Sequence, residues 1–170
     1  MKIFSLIIMM LVAAHQSALA IDVGDVFPKI EVSGSAKDVF KTSGGAGKVT
    51  VINFWATWCQ ACKVELKEMK EEFVGLISAG DFEFAMIALD TDAQKAVQWI
   101  KENIGDGPWL ERLYHDPEFK VAESLGVDEF PMTIVLAKDG KIAKVHRGFR
   151  EGEGSTKKIA ELVRTLQSGQ

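Results

Sequence analysis

Cys59 and Cys62, the only cysteines in this 170-residue chain, stand three apart in the stretch WCQAC. A thiol pair at this spacing has three possible uses. Structural zinc needs four ligands, typically with a second close pair. Apart from His15, the histidines are His115 and His146, 31 positions apart, so a zinc site would have to be gathered from distant places. A stapling disulfide gains stability by closing a long loop, and this bridge would close almost the shortest one available. Disulfide exchange accounts best for the placement. A sulfur at the first turn of a helix meets unsatisfied N–H groups and the positive end of the helix dipole, which favour the thiolate. The thiolate is the attacking species in exchange. On this reading Cys59, at or before the helix start, is exposed, low in pKa and attacks. Cys62, one turn in, is shielded and resolves the mixed disulfide.

Such a pair needs a strand behind it and a helix ahead of it. Val49 to Trp55 (VTVINFW) is β-branched and aromatic and reads as a buried strand. From Ala61 the apolar period becomes helical, with Cys62, Leu66, Met69, Phe73 and Leu76 on one face and Gly80-Asp81 as the break. Phe82 to Leu89 is a second buried strand. Thr91 and Gln94 predict a capping box for a helix whose stripe is Ala93, Ala96, Val97, Ile100 and Ile104, ended by Gly105 to Pro108. Leu110 to His115 reads as a short strand. Asp116 as N-cap, Pro117 at the first helical position and Gly126 bracket a short helix. Met132 to Ala137 and Lys141 to Val145 are strands joined through Asp139-Gly140, a hairpin signal. Ser155 is expected to cap a last helix with Ile159, Leu162, Val163 and Leu166 inward and Gly169 as its stop. Ahead of all this, Ile21 to Val32 carries turn signals and a short apolar piece, and Ser43 to Gly47 is a loop. Strands alternating with helices and closing on a hairpin imply an α/β sandwich. A crossover helix makes the first two strands parallel, the hairpin adds an antiparallel edge, and the cysteines fall at the carboxyl edge, where open α/β sheets build sites.

The neighbours of the pair narrow the reading. W-C-x-x-C-K following NFWAT is far more specific than C-x-x-C alone. With it the sequence resembles the thioredoxin superfamily and, within that, the exported TlpA/ResA-like thiol–disulfide oxidoreductases. The likeness runs from VGDVFPKIEV through GKVTVINFWATWCQACKVE to GVDEFPMTIVLAKDGKI and the RGF beyond. It implies a thioredoxin-like fold, a central mixed β-sheet flanked by helices. An extra strand and helix are inserted between the C-x-x-C helix and the cis-proline strand, for which the 69 positions from Cys62 to Pro131 leave room. By the same resemblance Pro131 is the cis-proline beside the cysteines, and Phe130 offers backbone hydrogen bonds to an extended substrate segment. Asn53 stands where cytoplasmic relatives usually carry a buried Asp, and Glu65 completes C-x-x-C-x-x-E.

Glu65 has its own geometric argument. It lies about 60° round the helix from Cys62 and one turn further on. A carboxyl partly buried there has a raised pKa and could relay the proton of Cys62 during exchange; Glu68, Glu71 and Glu72 make a solvated helix acid the plain alternative. Trp58 is expected to line the substrate groove and Trp55 to be core, while Trp99 lies off the stripe of its helix. Lys63 is either an electrostatic aid to the Cys59 thiolate or an ordinary surface lysine.

Residues 1 to 20 read as a signal peptide. Lys2 precedes an apolar run of about a dozen residues, short of the roughly 20 that span a bilayer, and Ala18-Leu19-Ala20 suits cleavage. That leaves residues 21–170 as one thioredoxin-like domain in the periplasm or another exported location, bound to membrane only if the leader stays. Cleavage takes one lysine and no acid, moving the formal charge from −4 to −5. A mildly acidic, unclustered balance gives no reason to expect nucleic acid. No cofactor or metal is expected, and a monomer is. The function expected is a reductase of protein disulfides fed by a membrane thiol–electron donor, with apocytochrome c among the acceptors the resemblance suggests. Two other readings stay open: an oxidase or isomerase using the same pair, and a binding module that uses only the groove. Gln60-Ala61 between the cysteines carries no ionisable group, which leans towards reductant. A thiol peroxidase lacks its T-x-x-C pattern, since Thr57 is two before Cys59.

Overall fold

The computed structural model describes residues 21–35, 38–42, 47–80 and 82–169. The expected signal peptide lies outside the described residues, as do residues 43–46 of the expected loop and Asp81.

The sheet grows outward from β3 (Val49–Trp55), all seven of whose residues are buried. Helix α1 (Gln60–Ala79) follows, and every member of its expected stripe is buried. It stops at Gly80, whose φ of 74° and N–H bond to Leu76 form a left-handed cap that favours glycine. β4 (Phe82–Ala88) returns parallel to β3 in the register Val49↔Phe82 to Trp55↔Ala88. Helix α2 (Ala93–Asn103) is capped by Asp92 rather than Thr91, its carboxylate accepting the Gln94 N–H at 3.0 Å. A carboxylate answers the helix dipole as a hydroxyl cannot.

A 3₁₀ turn over Gly107–Arg112 then takes up the first half of the strand expected from Leu110, leaving β5 (Leu113–His115). Asp116 does cap α3 (Lys120–Ser124), but from a distance. The formal N-cap is Phe119 at φ 57°, and the Asp116 carboxylate accepts from the N–H groups of Val121 and Ala122, both at 2.9 Å. Pro117 therefore belongs to the turn and not to the first helical position. Between α1 and the proline strand β6 (Met132–Leu136) the chain thus carries two strands, β4 and β5, and two helices, α2 and α3. The Asp139-Gly140 turn joins β6 to antiparallel β7 (Ile142–Arg147). Helix α4 (Ser155–Ser168) starts after Gly154 at φ 65°, so Ser155 is not its cap; the Ser155 hydroxyl is buried without a hydrogen-bond partner among the described residues.

The element absent from the sequence reading is a hairpin at the start. β1 (Glu31–Gly34) and β2 (Val39–Lys41) pair antiparallel, and β1 also pairs with β5. The described sheet has the order β2-β1-β5-β4-β3-β6-β7. One face, with Val51, Trp55 and Val135, packs against α1, α2 and α4. The other, with Ile52, Phe54 and Ile134, is covered by α3 and the segment Ile21 to Ile30.

Candidate functional site

Both cysteines stand where β3 hands over to α1. Cys59 is the N-cap of α1, in extended backbone conformation, and its Sγ accepts the Cys62 N–H at 3.1 Å. The two are joined as a disulfide, with S–S 2.07 Å and Cα–Cα 5.3 Å. Cys62 is fully buried. Cys59 is half-buried, not exposed as expected, because it packs against the hydrophobic clusters of both sheet faces.

The turn leading to Cys59 is braced from β4. Asp90, just past that strand and 3% exposed, accepts from the Thr57 N–H at 3.0 Å and the Thr57 hydroxyl at 2.5 Å. Cys59 N–H in turn donates to Ala56 O at 3.1 Å. Sequence reasoning missed Asp90 and Thr57. The available signal was an acid directly after a buried strand, at the edge that carries the cysteines.

Glu65 is fully buried, whereas Glu71 is exposed and Glu68 and Glu72 are partly so. The solvated-acid alternative therefore fits its neighbours and not Glu65. Its Oε2 accepts from the Asn53 side-chain amide at 2.8 Å, and the same amide donates to Thr133 Oγ1 at 2.9 Å. Its Oε1 and Asn53 Oδ1 are buried without partners among the described residues. Burial pushes the carboxyl up to about 8; hydrogen bonds from Asn53 and Thr133 oppose the shift, and the charge on Glu68 adds to it. A carboxyl so tuned is neutral over much of the physiological range and exchanges a proton close to neutrality. Asn53 and Thr133 meet because they are register partners on β3 and β6. Thr133 went unnoticed in the sequence, where it reads as an ordinary strand threonine.

The expected groove residues gather beside the pair. The Phe130–Pro131 bond is cis and Pro131 is buried. Trp58 is 60% exposed and meets Phe130 edge-on, ring centroids 5.9 Å apart. The Trp58–Phe130 contact joins the cysteine turn to the proline loop and leaves an aromatic surface facing solvent. Trp55 is core, as expected; Trp99, despite lying off its stripe, packs over it at 5.3 Å. Lys63 forms no ion pair among the described residues.

Comparison with known proteins fits this geometry. The Redoxin family profile matches residues 22–163. The chain is 29% identical over 123 residues to the thiol:disulfide interchange protein DsbE of Yersinia pestis, covering 72% of this chain and 61% of that protein. It is 27% identical over 130 residues to the thiol-disulfide oxidoreductase ResA of Oceanobacillus iheyensis, covering 74% and 65%. The chain thus spans less than two thirds of the length of these curated relatives. The solved exposed lipoprotein thioredoxin of Streptococcus pneumoniae superposes with a TM-score of 0.60 at 26% identity, over 83% of this chain and 99% of that one. The fold is thioredoxin-like.

Proposed function

Because the chain belongs to the Redoxin family, we propose that it is a thiol–disulfide oxidoreductase that works as a reductase of protein disulfides. The observation that carries this reading is the Cys59–Cys62 disulfide set across the first turn of α1, one sulfur reachable and the other enclosed. In the reduced protein the Cys59 thiolate attacks a sulfur of the partner's disulfide. A mixed disulfide forms and one partner thiolate leaves. The Cys62 thiol then gives its proton to the Glu65 carboxylate and attacks Cys59 Sγ, and the second partner thiolate departs. Two electrons pass from the protein dithiol to the partner, and Cys59–Cys62 is left oxidised.

Trp58, Phe130 and Pro131 form the surface that takes the substrate strand, with the backbone of Phe130 as its hydrogen-bonding edge. In the reverse half-cycle a donor thiolate attacks Cys59, Cys62 leaves, and protonated Glu65 returns the proton. A membrane thiol–electron carrier suits that donor role for a protein exported by its first 20 residues. The names of the relatives, an interchange protein and an oxidoreductase, support the chemistry. Secreted cysteine proteins, apocytochrome c among them, are the acceptor class.

The test is the equilibrium reduction potential of Cys59–Cys62 against glutathione buffers, with Cys59→Ser as the inactive control. A value near −270 mV (roughly that of thioredoxin) supports a reductase, and one near about −120 mV makes the protein an oxidant of secreted thiols instead. Full complementation by Cys59→Ser would mean that the groove binds and the sulfurs do nothing.

A further inference from the structure

Opening the disulfide frees Cys59 from Cys62, yet resolution needs the two sulfurs to meet again. In the oxidised chain the bond between them fixes both. In the reduced protein and in the mixed disulfide that bond is absent, and Cys59 depends on whatever else holds its turn. Ala56 to Cys59 lie between the last residue of β3 and the first of α1 and belong to neither element. Two backbone bonds are local to this turn. Cys59 N–H donates to Ala56 O at 3.1 Å, and Lys63 N–H donates to Cys59 O at 3.2 Å. They tie the turn to itself and to α1.

The tie to the neighbouring strands comes from Asp90. Its two oxygens take both polar groups of Thr57, the N–H at 3.0 Å and 3.3 Å and the hydroxyl at 2.5 Å. Three contacts on two oxygens fix the orientation of the turn as well as its distance, which one bond would not. Asp90 is itself anchored. Leu89 N–H, just before it, donates to Trp55 O at 2.9 Å and prolongs the β3–β4 ladder, and Asp116 N–H donates to Ala88 O at 2.9 Å. The clamp therefore joins the cysteine turn to the ends of β4 and β5. Thr57 stands two residues before Cys59, with the exposed Trp58 between them, so one clamp places both the sulfur and the ring that meets Phe130. Asp116 supplies the contrast. It is buried like Asp90 and accepts two N–H groups at 2.9 Å, but these belong to α3, which carries no cysteine.

We infer that Asp90 is the positioning residue of the nucleophile. Acting through Thr57, it keeps Cys59 Sγ within reach of Cys62 in the reduced protein and in the mixed disulfide, a role that rests on the exchange chemistry proposed above. Asp90 touches no reacting atom and passes no proton or electron. It supplies geometry: two groups held close to the arrangement of attack react far faster than the same groups free to wander. The mixed disulfide needs this most. A bulky partner then hangs on Cys59, while Cys62 is sealed into the buried face of α1, so the turn that carries Cys59 has to present it.

The test follows the reduced full chain as it reacts with an aromatic disulfide that releases a coloured thiolate. The first release reports attack by Cys59, and the second, unimolecular release reports attack of Cys62 on Cys59. Asp90→Ala removes the whole clamp, and Thr57→Val removes the hydroxyl bond while keeping the amide. Well below their melting temperatures, Asp90→Ala should slow the second release roughly tenfold and Thr57→Val by less. Thr57→Ser, which restores the hydroxyl, should recover the wild-type rate. Asp116→Ala controls for stability alone: it strands two N–H groups elsewhere, and should lower the melting temperature and leave both releases unchanged. An unchanged second release in Asp90→Ala and Thr57→Val would make Asp90 merely a structural brace and overturn the proposal. An Asp116→Ala variant as slow as Asp90→Ala would overturn it too, as would a Thr57→Ser variant as slow as Thr57→Val. If Asp90→Ala does not fold, the two Thr57 variants decide alone. If the wild-type chain gives no second release, the exchange reading itself falls and the positioning role falls with it.

Discussion

Two buried carboxyls flank the cysteine pair, Asp90 behind its turn and Glu65 beneath its helix, and they are built to opposite ends. Asp90 is surrounded by donors: the Thr57 amide reaches both its oxygens and the Thr57 hydroxyl bonds one of them. Asp116 on the next loop resembles it, with two backbone N–H groups on one oxygen. Glu65 has the Asn53 amide on one oxygen, while the other lacks a partner among the described residues. The donors around Asp90 and Asp116 fix the loops that carry them. Burial with few donors favours the acid. The same functional group is therefore a brace at position 90 and, in the proposed mechanism, a proton carrier at position 65, and the number of donors turned towards it differs between the two sites.

The largest effect should come from titrating Glu65. Its carboxyl is raised from 4.5 to about 8 in the fold, so between those values the folded oxidised chain holds a proton that the unfolded chain has released. Stability is fully present below pH 4.5 and falls as pH rises towards 8, by an amount on the order of a few kcal/mol. Glu65→Gln should flatten this slope, leaving the protein more stable than wild type at pH 9. Urea unfolding midpoints from pH 4.5 to 9 test it; an unchanged slope in the variant would place the proton elsewhere.

Asp90→Ala should cost about 2–3 kcal/mol, because it strands the buried Thr57 amide and hydroxyl together. The same unfolding series reads it. Thr133→Val should cost about 1 kcal/mol and drive the Glu65 carboxyl still higher, since a hydrogen bond that opposes the burial shift is lost. Infrared difference spectra of the carboxyl C=O stretch across pH would follow that move. The smallest effect belongs to the exposed pair Lys41–Glu31, at 3.0 Å on the β1–β2 hairpin. Lys41→Ala should shift stability by less than about 0.5 kcal/mol, which marks the noise floor for the other three.

Much of this molecule is readable along the chain because its signals are local. The Cys59–Cys62 spacing, the apolar run of β3, the stripe of α1 and the Asp139-Gly140 turn each lie within a few residues, and backbone geometry turns each directly into structure. Caps were less legible. Asp92 took the place expected for Thr91, and Asp116 reached its helix from four residues before its first turn, because several polar side chains near a helix start compete for the same N–H groups. The β1–β2 hairpin escaped notice since short edge strands draw their stability from a neighbour, here β5, and carry little pattern of their own.

The sequence by itself determined that a dithiol would sit where a buried strand passes into a helix, with an acid three residues beyond. Only the tertiary structure decided that this acid would be sealed from water and that β6 would set Thr133 against Asn53. Strand register brings together residues 80 positions apart, and a carboxyl's proton affinity depends on burial and on donors that arrive from those distant strands.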